Sequence, residues 1–270
     1  MANLLVTIPH SGERIPEKLT PWLLGLPEKI LMEDLDRFVD QLYLPSILSL
    51  GIPFVKTEWH RYAVDLNRIP TDVDRSSVEG APLPKGTHPR GYHWVETTYQ
   101  DQLMPQPMTS ETHKELTRLI YDPFHQAIGK IYQNFKATNG SDSPIFHLDA
   151  HSMPSLGTSM HRDPGQIRAD IVISDCLGKS CSPRFRDLVL AAYAVAGFKV
   201  AYNWPYFGGR VTEQYGDPGH QKHHAIQVEI RRDLYMDEST KKLKAQWSEA
   251  QQKVHQAINY ICLRLPTLIE

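Results

Sequence analysis

The stretch SPIFHLDAHSMPS, residues 143–155, decides how the rest of the chain is read. Pro144, Ile145 and Phe146 lead into His147, Asp149, His151 and Ser152, and Pro154 ends the run. This is the pattern of a buried strand that becomes polar towards its carboxyl end. Similar short apolar runs recur: LLVTI (4–8), PFVKTE (53–58), YAVDLNR (62–68), ADIVIS (169–174), FKVAYN (198–203) and AIQVEI (225–230). Between them lie helical patterns over 27–50, 111–137, 184–197 and 240–265. Strands alternating with long helices predict an α/β fold with a mixed, largely parallel sheet. Residues 70–110 are rich in Pro, Gly, Ser and Thr, which predicts a long loop region near the active site.

The whole-chain properties narrow the function classes. The chain has 270 residues, 41% of them apolar, enough for one domain over 1–270. Lys and Arg number 29 against 31 Asp and Glu, for a formal charge of −2. That balance argues against nucleic acid or an anionic membrane and for a small-molecule substrate. The N-terminus lacks a basic segment, and its apolar run is too short for a signal or a spanning helix. Cys176, Cys181 and Cys262 match no common zinc spacing, and we read them as reduced thiols in a cytoplasmic protein. A monomer or small homo-oligomer is expected.

In open α/β sheets ligands gather at the carboxyl ends of strands, and the polar clusters fall there. His10 follows LLVTI, and Glu13 completes an H-x-x-E that can chelate a metal. Asp36 and Asp40 lie one turn apart in the 27–50 helix, as a carboxylate ligand with a supporting partner or as a solvated face. Asn67 and Arg68 end the 62–68 strand, where Arg offers a fork for a carboxylate or pairs with Asp65 or Asp74. The strand reading of 147–153 sends Asp149 and His151 to opposite faces. His151 is then the better ligand, Asp149 a buried brace, and His147 a structural residue on Asp149's face. Ser152 would line the pocket. The turn-rich loop 202–218 carries Arg210 and Tyr215. His220, His223 and His224 are ligands or an exposed run before the last strand. Glu229 on that strand, beside a metal and an apolar wall, can act as a general base.

Seven motifs occur in order across residues 9–238: PHSG, DxFVDxLY, VDLNR, DAHSMPS, ADIVISD, NxPYxGG and HAIQVEIRRDLYMDE. Together they resemble the N-formylglutamate amidohydrolase (N-formylglutamate deformylase) family. That family is similar in fold to zinc carboxypeptidases and aspartoacylase-type deacylases. The resemblance implies a three-layer α/β/α sandwich of the phosphorylase/hydrolase-like kind and one Zn²⁺. It also implies hydrolysis of N-formyl-L-glutamate to formate and glutamate, a step of histidine degradation. It makes His10 and His151 zinc ligands, with Asp36 favoured as the third and Glu13 as the alternative. It assigns Asn67 and Arg68, helped by Arg210, to a substrate carboxylate, Glu229 to the base, and Tyr215 or His224 to the oxyanion. The chain departs from the family pattern at GHQKH before His224 and at Arg210, where a neutral residue is expected. Those departures leave room for a zinc amidase or carboxypeptidase acting on another N-acyl amino acid or a cell-wall peptide. A non-catalytic metal- or ligand-binding protein of the same fold is the remaining alternative.

Overall fold

Continuous apolar runs of four or five residues can be buried on both faces only inside a layered sheet. In the computed structural model, which describes residues 3–268, they form a six-stranded sheet. Its strands are β1 (Leu4–Ile8), β2 (Phe54–Lys56), β3 (Ile145–Met153), β4 (Ile171–Ser174), β5 (Val200–Tyr202) and β6 (His223–Arg231). The order is β2-β1-β3-β6-β4-β5, and only the β4–β6 pair is antiparallel. A two-stranded ribbon of β7 (Met236–Asp237) and β8 (Lys242–Leu243) follows.

Helices cover both faces, so the fold is the three-layer α/β/α sandwich. One layer holds α2 (Val39–Ser49), α5 (Pro183–Val195) and α7 (Trp247–Arg264). Their apolar stripes bury Leu42, Val189 and Ile258 against Val6, Leu148 and Val228 of the sheet. Each such fully buried aliphatic side chain contributes roughly 1.5–3 kcal/mol. The opposite layer holds α3 (Ser110–Leu116) and α4 (Asp122–Asn139), joined by one wide helical turn over Thr117–Tyr121. Phe124 and Ile128 pack there with Leu5, Ile145 and the 62–108 segment. The short helices α1 (Glu28–Leu31) and α6 (Arg210–Tyr215) lie in loops.

The two faces of β3 differ in chemistry. Phe146, Leu148 and Ala150 enter the first core. His147, Asp149 and His151 point to the α4 side, where Tyr132 meets His147. Register carries this polar stripe across the sheet: Thr7 pairs with Asp149, Asp149 with Gln227, and His151 with Glu229.

The structure corrects several expected elements. Residues 27–50 are two short helices rather than one, because Phe38 adopts a left-handed φ of 68° before α2. Asp36 therefore lies in the connecting loop, and Asp40 pairs instead with Lys56 at 2.8 Å on the surface. Residues 62–68 are turns, not a strand. The 70–110 region is irregular, with isolated bridges only, and it buries Tyr92, Trp94, Met104 and Met108 as a covering layer.

Candidate active site

Three buried side chains from separate segments converge at the strand ends. His10 leaves β1 into a turn held where Gly12 meets the 58–59 backbone. A Cβ on Gly12 would lie 2.4 Å from the Glu58 carbonyl carbon, so only glycine fits. The backbone N–H of Asp36 donates to the His10 carbonyl at 3.1 Å, which fastens the loop to that turn. Asp36 Oδ2 then lies 3.4 Å from His10 Nδ1 and 3.0 Å from His151 Nδ1. These are the ligand-type atoms of a candidate metal triad.

Carboxylates hold the far side of each imidazole. His10 Nε2 is 2.8 Å from Asp65 Oδ1, and His151 Nε2 is 2.8 Å from Asp149 Oδ2. An Nε2–H donated to each leaves both Nδ1 lone pairs facing Asp36, the arrangement of a carboxylate–histidine–metal shell. Thr7 Oγ1 donates to Asp149 Oδ1 at 2.6 Å and accepts from His147 Nε2 at 2.8 Å. The Tyr132 hydroxyl then donates to His147 Nδ1 at 3.1 Å. Burial lowers the pKa of His147 to about 4, so it is neutral and can be a one-way relay.

Buried carboxylates surround the two imidazoles. Burial alone would raise the pKa of Asp36, but the neighbouring imidazoles of His10 and His151 hold it well below the carboxylate range. Burial disfavours charge on His151, yet Asp149 and Asp36 hold its pKa well above the ordinary value. His10 Nδ1 has no hydrogen-bond partner. Two imidazoles and a carboxylate with an orphaned buried lone pair fit a divalent metal with an open position.

Glu229 stands beside His151 on the neighbouring strand. Its Oε1 accepts from Gln227 Nε2 at 2.7 Å, while its buried Oε2 has no partner. Burial pushes its pKa up, against the pull of His151. Arg232, on the turn after β6, donates to Asp36 Oδ1 at 3.2 Å and to Ser152 Oγ at 3.1 Å. Ser152 Oγ in turn donates to Asp36 Oδ1. These groups line a cleft of about 420 Å³, with Asn67, Arg68, Arg90, Trp94, Arg162 and Phe207 on its other walls.

The structure brings together His10, Asp36, His151, Ser152, Asn67, Arg68 and Glu229, and separates the other expected residues from them. Glu13 is bound to Arg37 at 2.7 Å on the surface and stands outside the triad. Arg210 pairs with Glu213 at 2.9 Å and faces an adjoining cavity. Tyr215 bonds to His125, behind the relay. His224 sits near the start of β6, five residues before Glu229, stacked on Phe146 and accepting from the Ser182 N–H. Neither Tyr215 nor His224 lines the cleft. Asp149 does not face away from His151: residues two apart on a strand share a face, so both serve the site. Asn67 Oδ1 accepts from the Val211 N–H at 2.8 Å, and its amide fills the space above Gly209. It therefore shapes the glycine loop at the cleft edge.

Asp65 and Arg232 were not expected in these roles. Asp65 Oδ1 accepts from His10 and the Asn67 N–H, and Oδ2 from Arg61 and Trp94 Nε1. The only trace in the sequence is an acid between Val64 and Leu66, which is easily read as a partner for Arg68.

Fold and cleft together define an α/β/α hydrolase scaffold with a candidate metal centre at its parallel strand ends. A family model for N-formylglutamate amidohydrolase matches residues 2–236, and the chain belongs to that family. It is 29% identical over 238 residues to an N-formylglutamate deformylase of Pseudomonas putida, covering 87% of this chain and 82% of that protein. The deformylase of Pseudomonas aeruginosa is 28% identical over 236 residues, with the same coverage. The crystal structure of N-formylglutamate amidohydrolase from Ralstonia eutropha JMP134 superposes with a TM-score of 0.84 at 26% identity, covering 98% of this chain and 95% of that one. Among the described residues no helix is long and apolar enough to cross a membrane.

Proposed function

We propose that the protein hydrolyses N-formyl-L-glutamate to formate and glutamate, with a zinc ion held by His10, Asp36 and His151. The observation that carries this reading is the pairing of two carboxylate-braced imidazoles and Asp36 with the unpartnered oxygen of Glu229. Membership of the family supports the substrate. The chemistry that zinc would supply in this donor set is a water pKa lowered towards about 7 and a polarised formyl carbonyl.

The chain's own residues do the rest. Glu229 Oε2 takes the proton of the attacking water, and its raised pKa suits it to hold that proton. As the C–N bond breaks, Glu229 delivers the proton to the leaving amine nitrogen. Gln227, bonded to Oε1, keeps the free oxygen turned to the cleft. Arg68 presents its guanidinium to a substrate carboxylate, and Asn67 holds the 209–211 backbone beside it.

The test is formate release from N-formyl-L-glutamate by the zinc-loaded protein, run beside N-acetyl-L-glutamate and short peptides. Fastest turnover of the formyl substrate is expected. Turnover of the peptides alone would reassign the activity to a peptidase.

A further inference from the structure

The charges lining the cleft balance only in part. Asp34, Asp36 and Glu229 are its acids, and Arg61, Arg68, Arg90, Arg162 and Arg232 its bases. Three of these cations are already answered: Arg61 by Asp65, Arg90 by Glu96, and Arg232 by Asp36. Arg68 donates only to the backbone carbonyls of Asn67 and Arg90. Arg162 is exposed at the cleft mouth, and its guanidinium carbon lies 4.1 Å over the Phe207 ring. Among the described residues, neither Arg68 nor Arg162 has a carboxylate partner.

The frame around Arg162 is built rather than loose. Its neighbour Asp163 holds Arg168 through two bonds of 2.7 and 2.8 Å, both partners buried. Gly157 packs so closely on Asp163 that a Cβ there would lie 2.1 Å from the Asp163 carbonyl oxygen. Arg168 also donates to the Tyr206 hydroxyl at 2.9 Å, tying this loop to the loop that carries Phe207. A cation over an aromatic face on a cross-linked loop loses little freedom when it binds an anion.

We propose that Arg162 is a specificity-determining residue that takes the side-chain carboxylate of a dicarboxylic substrate, while Arg68 takes the α-carboxylate. This deepens the reading of the cleft as an N-formylglutamate site and rests on it. A monoanionic substrate would engage only one of these two guanidiniums and forgo the second charge-assisted contact. Arg210, bound to Glu213 in the adjoining cavity, is then not needed for the second carboxylate.

The experiment compares N-formyl-L-glutamate with its neutral-side-chain analogue N-formyl-L-glutamine in the zinc-loaded wild type, Arg162→Met and Arg162→Lys. In Arg162→Met, kcat/KM for formylglutamate should fall about 10- to 100-fold, mostly through KM, as for loss of one charge-assisted bond. Formylglutamine turnover should change less than about threefold on the same scale. Lysine should restore part of the loss, since it keeps the charge but not the fork. Equal losses on both substrates, or none, would overturn the proposal. Calorimetric binding of glutarate against butyrate is read in parallel and does not depend on turnover. Glutarate preference that disappears in Arg162→Met supports the clamp, and preference that persists overturns it. A wild type that binds glutarate preferentially but releases no formate would refute the substrate reading while leaving the clamp standing.

Discussion

Asp65→Asn should uncouple the candidate metal centre from its support with almost no change in side-chain volume. Asp65 is fully buried, and its two oxygens accept four donors: His10 Nε2 and the Asn67 N–H on Oδ1, Arg61 Nη2 and Trp94 Nε1 on Oδ2. Burial alone would raise its pKa, but Arg61 and His10 hold it well below the carboxylate range. An amide has one acceptor oxygen, so in either orientation its NH2 group opposes two donors. With the oxygen turned to His10, the Arg61 bond is lost and Trp94 is left unsatisfied. At roughly 1.5–3 kcal/mol for the charged bond and 1–3 for the buried orphan, the cost is about 3–6 kcal/mol. In a chain of this size that corresponds to a Tm lower by roughly 6 to 24 °C, best measured on metal-free protein. With the NH2 turned to His10, the imidazole must place its proton on Nδ1, inside the triad. Zinc affinity, read by chelator competition, should fall about 10- to 100-fold. Ile258→Val, remote in α7, should lower Tm slightly and leave zinc affinity alone. An Asp65→Asn protein with Tm within about 2 °C of wild type and zinc affinity within about twofold would refute this account of the brace.

Glu229→Gln should keep its zinc and lose about 10²- to 10⁴-fold in kcat for formate release, and an unchanged rate would place the base elsewhere. Gly209→Ala should disorder the cleft edge, because the new Cβ would lie 1.9 Å from Asn67 Nδ2; the expected result is a raised KM with zinc content preserved. Stability should decline in acid through His60, His93 and His147, whose pKa values burial lowers from 6.5 to about 4, 3 and 4. The unfolded chain takes up these protons near pH 6.5 and the folded chain resists, so stability is full above 6.5 and is lost as pH falls towards about 4 for His60 and His147 and about 3 for His93. At 1.36 kcal/mol per pH unit His60 and His147 each contribute on the order of 3 kcal/mol and His93 about 5, and His147→Gln should flatten the slope of denaturant stability against pH between 6.5 and 4.

The sheet was legible because its strands are short, apolar and separated by long helices, a pattern that survives without tertiary information. Two members of the candidate triad were legible because His10 follows the first of these runs and His151 lies near the carboxyl end of another. The connecting geometry was less so. Asp36 looked helical because a 27–50 periodicity hides the left-handed break at Phe38. Asp65 contacts His10 across 55 positions, and Arg232 contacts Asp36 across 196, so no local spacing could pair them. Asp149 could have been placed by parity alone, since i and i+2 share a strand face. The polar stripe Thr7–Asp149–Gln227 follows only from strand register, which single runs do not carry. Arg210 and His224 were drawn to the site by their motifs, but an ion pair with Glu213 and stacking on Phe146 hold them elsewhere.

The most direct test of the central claim measures zinc content and formate release on the same preparation. The account predicts that dialysis against a chelator removes about one equivalent of zinc and abolishes hydrolysis of N-formyl-L-glutamate, and that one equivalent of zinc restores both. His10→Ala and His151→Ala proteins should neither retain the metal nor recover. Full activity in metal-free wild type, or in either histidine variant, would contradict it.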